Sequence, residues 1–158
     1  MILYRQRIAY WSDFMKTCTF FGHKDCPDNI KHNLIEIIEQ QIVVNSVQRF
    51  YVGYNGNFDK LVINCLQCLK AKYPSIECFI ILDRIPTSTN YILHFETIYP
   101  SILDNVPPRF RIDRRNQWMI NQSEVVITYI RFSFGGASKF AQLAKKQNKI
   151  VLNLYKPL

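Results

Sequence analysis

Each of the five glycines in this 158-residue chain follows a strand-like run and precedes a helix-like one. Gly22 follows TCTFF, and Gly53 follows VQRFYV with Gly56 three residues on. Gly135 and Gly136 close EVVITYIRFSF and open a helical pattern. A strand that turns into a helix, repeated along a chain, builds a parallel sheet with right-handed crossovers. Glycine at such a turn lets backbone approach closely, and the amides of the following helix N-terminus suit a phosphate. The runs 17–21, 47–52, 76–82, 124–130 and 149–154 are rich in Val, Ile, Phe, Tyr and Thr and read as strands. Several are continuously apolar, as buried parallel strands are. The spacing predicts helices from Asp28, as N-cap, to Val44, from Phe58 to Tyr73, and over 136–147. The whole is an α/β chain.

The stretch 83–113 breaks this rhythm with Pro86, Pro100, Pro107 and Pro108. Its centre, YILHFETIYPSIL, reads as a short helix within a long insertion of the kind that often carries function. A second short helix is expected over 115–124. Cys65 and Cys68 form a CxxC pair without the second pair a structural zinc site needs, so they read as small apolar residues on a buried helical face. His32 and His94 lack clustered partners, and neither a metal nor a cofactor is expected. The formal charge of +8 favours anionic partners without choosing among nucleotide, nucleic acid and an anionic surface. There is no membrane-length apolar run and no export signal, so a cytoplasmic location is expected.

The segments FFGHKD (20–25), VGYNGNFD (52–59), VPPRFRI (106–112), RRNQWMINQSEVVITY (114–129) and FGGASKFAQLAKKQNK (134–149) resemble, in collinear order, a small bacterial group of the SLOG superfamily. That superfamily of Rossmann-like domains includes DNA-processing protein A and the lonely-guy phosphoribohydrolases. The resemblance implies a three-layer sandwich with a mostly parallel sheet of order 3-2-1-4-5, spanning 17–158, with 1–16 as an N-terminal extension. Ligands in such sheets bind at the topological switch point. There the resemblance brings together Gly22, His23 and Lys24; Gly53, Asn55, Gly56 and Asp59; Arg115; and Gly135, Gly136 and Ala137.

His23 reads as a phosphate contact or acid–base group, or as a turn histidine bonded to backbone. Lys24 reads as a phosphate counter-charge, Asp59 as an N-cap or ligand contact, and Tyr54 as a base platform or a turn closer. Arg109, Arg111, Arg114 and Arg115 read as bidentate phosphate contacts, with Arg114 or Arg115 facing the site, or else Arg109 and Arg111 alternate around Phe110 on an extended segment and some of the four pair with Asp113 or Glu124. The phosphoribohydrolases follow their glycine pair with a threonine and catalytic glutamates. Here GGASKFAQ supplies neither, and no Asp or Glu occurs from Phe132 to Leu158. Glu96 and Asp59 are the remaining catalytic candidates. The reading is a module that binds or senses a nucleotide or nucleotide derivative without efficient catalysis, with a homo-oligomer possible. An N-glycosidic hydrolase and a single-stranded DNA-binding protein are the alternatives. The last requires a basic groove with exposed aromatics along it.

Overall fold

The computed structural model describes residues 15–87 and 94–157. Six strands form one sheet: β1 (Thr17–Gly22), β2 (Arg49–Val52), β3 (Glu77–Ile81), β4 (Glu96–Ile98), β5 (Val125–Tyr129) and β6 (Ile150–Asn153). Every neighbouring pair is parallel, in the order β4-β3-β2-β1-β5-β6. Four helices connect them: α1 (Lys31–Val43), α2 (Asn57–Lys72), α3 (Arg111–Asn121) and α4 (Gly136–Lys146). The expected N-terminal extension falls almost wholly on residues 1–14, outside the described ones.

Alternate residues of each central strand point to opposite faces, and both faces are apolar. On one, Phe20, Phe50, Val52, Ile80 and Ile127 pack under Leu34 and Ile38 of α1 and Phe58, Val62 and Leu66 of α2. On the other, Phe21, Tyr51, Phe79 and Val126 pack under Met119 and Ile120 of α3 and Phe140 and Ala144 of α4. The result is the expected three-layer arrangement. The predicted five-strand order survives as the run β3-β2-β1-β5-β6, and the sixth strand is an addition.

That addition corrects the sequence reading of 83–113. Residues 96–98, expected in a short helix, pair with β3 through Phe79↔Glu96, Ile80↔Thr97 and Ile81↔Ile98. Two β-branched residues favour extension, and a short edge strand carrying a charge is a usual way to end a sheet. Residues 91–93 of that stretch lie outside the described ones.

Three smaller expectations also change. Asp28 does not cap α1, which starts at Lys31; its carboxylate accepts from Asn57 Nδ2 at 2.8 Å. Arg109 lies in a short 3-10 turn and Arg111 opens α3, so the segment is wound rather than extended. Of the CxxC pair only Cys65 is buried, and Cys68 is exposed. The buried stripe of α2 runs through Phe58, Leu61, Val62, Cys65, Leu66 and Leu69, which leaves position 68 on its flank. Among the described residues no helix is long and apolar enough to cross a membrane.

Candidate functional site

Connections leaving β1 run to β2 over one face, and those reaching β5 and β6 run over the other. The strand order therefore reverses between β1 and β5, and a crevice opens beyond their carboxyl ends. A cavity of about 350 Å³ lies there, within the range of small-molecule sites. It is lined by Gly22, His23 and Lys24 after β1, by Gly53, Asn55 and Asp59 after β2, by Arg115 of α3, and by Gly136 and Ala137 of α4. The predicted site residues thus converge, except that Gly56 and Gly135 are not part of the lining. Ile112, Asp113, Asn116, Met119 and Phe140 also line it and were not foreseen. Glu96 sits exposed on the edge strand β4 and does not line the cavity.

Most of the glycines serve a different purpose from the one expected. A Cβ on Gly22 would lie 2.3 Å from the Phe58 ring, and one on Gly53 would lie 2.8 Å from Asp59 Oδ2. Gly56 has φ +91°, and a Cβ there would meet the Lys24 backbone at 2.9 Å. These three make room for the protein itself. Only Gly135 (φ +95°) and Gly136 face open space. A valine at Gly135 is therefore strained by its backbone conformation but clashes with nothing in the protein.

His23 holds the rim. Its N–H donates to the Tyr129 carbonyl at 3.2 Å. Its Nε2 accepts the backbone N–H groups of Arg131 and Phe132 at 3.0 and 3.3 Å. The imidazole thereby ties the turn after β1 to the loop after β5 through backbone groups, as the turn-histidine reading expects. Lys24 is exposed at the mouth and has no charge partner among the described residues. Opposite, α4 begins without a side-chain cap, so its first amides are unsatisfied and its positive dipole end meets the cavity.

The floor is a buried charge cluster. Asp59 is 9% exposed and Arg115 is 3% exposed. Asp59 Oδ2 accepts the Asn55 N–H at 2.8 Å. Burial pushes its carboxyl up to about 6, against the pull of that bond and of Arg115. Arg115 donates to Asn116 Oδ1 at 3.0 and 3.1 Å and to the Ile81 carbonyl at 3.4 Å, and lies 3.9 Å from Asp83. Burial lowers its affinity for the proton, and the two carboxylates oppose that. Burial also pushes Asp83 up, yet the hydrogen bonds from Tyr54 and Arg84 and the charge of Arg115 leave it below the usual carboxylate range. Tyr54 donates its hydroxyl to Asp83 at 2.5 Å, so it closes the turn as one expectation held. Burial, then the Asp83 bond and charge, raises that phenol to about 12. Asp83 went unrecognised in the sequence, although an acid directly after a buried strand (IILD) was the available signal.

Beside the cavity, the loop from β5 to α4 carries an aromatic shelf that sequence reasoning also missed. Phe132 and Phe134 stack with ring centroids 5.3 Å apart at 19°, and Phe132 packs on His23 at 5.4 Å. They are 43% and 71% exposed. Arg131 lies over the Phe132 ring at 5.1 Å, and Arg109 lies over Phe110 at 4.6 Å. The alternation FSF before two glycines was the available sign.

A parallel Rossmann-like sheet with its crevice at the switch point defines the fold class. Solved structures sharing it are of DNA processing protein A. The protein from Helicobacter pylori superposes with a TM-score of 0.63 at 20% identity, covering 93% of this chain and 68% of that one. The Streptococcus pneumoniae protein gives 0.60 at 15% identity, covering 88% of this chain and 50% of that one. The Helicobacter protein binds single-stranded DNA. No family model and no curated protein matches the chain.

Proposed function

We propose that the protein is a binding module for a nucleotide or nucleotide derivative, which it holds by phosphate in this cavity. The observation that carries the reading is the uncapped N-terminus of α4 lining the cavity across from Lys24. Together they offer unsatisfied N–H groups, a helix dipole and an exposed positive charge to one anion. The carboxylates a hydrolase would use are few. Glu96 is remote from the cavity, and Asp59 and Asp113 are the acids lining it. Asp113 is tied to Lys139 at 2.7 Å.

A second reading, single-stranded DNA binding, is favoured by the aromatic shelf with Arg131 and by the likeness to the Helicobacter protein. Bases stacked on exposed phenylalanines contribute about 1–3 kcal/mol each.

Thermal shift and equilibrium dialysis with AMP, ADP, ADP-ribose and a short oligothymidylate test both. A mononucleotide at ~100 times its dissociation constant adds roughly 2.7 kcal/mol of stability. Lys24→Ala weakens its binding about tenfold to a hundredfold. Strand binding instead gives a steep fall of affinity with salt and a loss on Phe134→Ala. If none of these compounds binds, both readings fail.

A further inference from the structure

The cavity is chemically two-sided. The strand order β2-β1-β5 sets the turn after β2 two strand spacings, roughly 10 Å, from the start of α4. The α4 side offers amide donors, and Lys24 reaches the mouth from the turn after β1, where its carbonyl accepts the Asn57 N–H and its chain packs against Gly56. The β2 side offers Asp59, Asn55 and Arg115.

A phosphate does not suit the β2 side. It would face the Asp59 carboxylate, and Arg115 cannot swing out to meet it. That guanidinium is held by Asn116 and the Ile81 carbonyl and flanked by Asp83. Gly53 leaves no slack above them, since even a methyl there would touch Asp59 and come within 3.1 Å of Arg115 Nη2.

What the β2 side does offer is an acceptor next to a donor. Asp59 uses Oδ2 for the Asn55 N–H, while Oδ1 has no hydrogen-bond partner among the described residues. The Asn55 side-chain nitrogen is buried without a partner, which is costly unless something supplies an acceptor. A hydroxyl both donates and accepts, so it satisfies the two together. A vicinal diol reaches the carboxylate with two O–H groups, while Arg115 balances the charge beneath.

We infer that Asp59 and Asn55, backed by Arg115, form a sugar-hydroxyl subsite that selects a ribosyl over a deoxyribosyl group on the phosphate-bearing ligand. The inference rests on the nucleotide-binding reading, deepens it by naming the sugar, and weighs against the DNA-strand alternative.

The test uses two base-free probes, ribose 5-phosphate and 2-deoxyribose 5-phosphate, with affinities measured by calorimetry on the full chain. The wild-type protein should bind the ribose compound roughly ten- to a hundredfold more tightly, as expected for a hydrogen bond to a charged group. Asp59→Asn keeps an oxygen for the Asn55 N–H and puts an NH₂ where Oδ1 accepted, so the ratio should fall to near one. Asn55→Ala removes a side-chain amide whose nitrogen is unpartnered and should lower the ratio at least threefold. It serves as the measurement if the Asp59 variant does not fold. Equal wild-type binding of the two compounds overturns the inference and leaves the phosphate reading standing. Binding of neither compound overturns both. A wild-type ratio retained in the variants refutes the assignment to these residues.

Discussion

Asp59 shows how one residue takes several meanings. Its place after a glycine turn is legible in the sequence as a helix-start acid. That it is buried over Arg115 is not, because Arg115 lies 56 positions away on a helix of the opposite face. The folded protein holds the Asp59 proton more tightly than the unfolded chain does, with its carboxyl raised from 3.8 to about 6. Its contribution to stability is therefore complete below 3.8 and is lost as pH rises through about 6. Asp59→Asn has no such loss. The stability of the variant relative to wild type should grow by on the order of 3 kcal/mol between pH 4 and pH 8, read by urea unfolding at both. A difference independent of pH would mean that the carboxylate is not desolvated. His23 and Gly22 make the same point without a titration. Both are visible as turn residues, but that one holds the next loop and the other admits the Phe58 ring depends on partners 35 or more positions away.

Elements were easiest to read where burial is periodic. The stripes of α2 and α4 and the apolar runs of five strands stand out because helical and strand periods leave different patterns. β4 was missed because three residues with an exposed first position carry no period. Its extended state is decided by the free edge of β3. The start of α1 was placed early because Asp28 has cap chemistry, whereas its carboxylate is engaged by Asn57 of α2. The closeness of α4 to the sheet depends on small residues on its inner side. Ala144 is fully buried against the second core. Ala144→Leu should overpack that face and destabilise the protein by about 1–3 kcal/mol. Thermal unfolding measures it, and an unchanged midpoint would show room between α4 and the strands that the packing denies.

Across the whole molecule, burial also sorts the five cysteines. Cys18, Cys26, Cys65 and Cys78 are buried and Cys68 is exposed. Burial raises the thiols of Cys26 to about 11 and of Cys65 and Cys78 to about 12, and pushes Cys18 up as well. An aromatic disulfide reagent should modify one thiol quickly in the native protein, mapping to Cys68, and all five after denaturation. Fast modification of a second thiol would refute the packing of the sheet. The sequence by itself determined an α/β chain with a parallel sheet and glycine turns between strands and helices, while the layer order and the meeting of those turns at the switch point came from the family resemblance. Periodicity and turn chemistry are local, and crossover handedness leaves few ways to assemble them. Only the tertiary structure decided what those turns do. It gave three glycines to protein contacts and two to open space, set a carboxylate beside a buried arginine, and placed two phenylalanines at the rim. Each of these depends on groups far apart in the chain meeting at distances that no local pattern encodes.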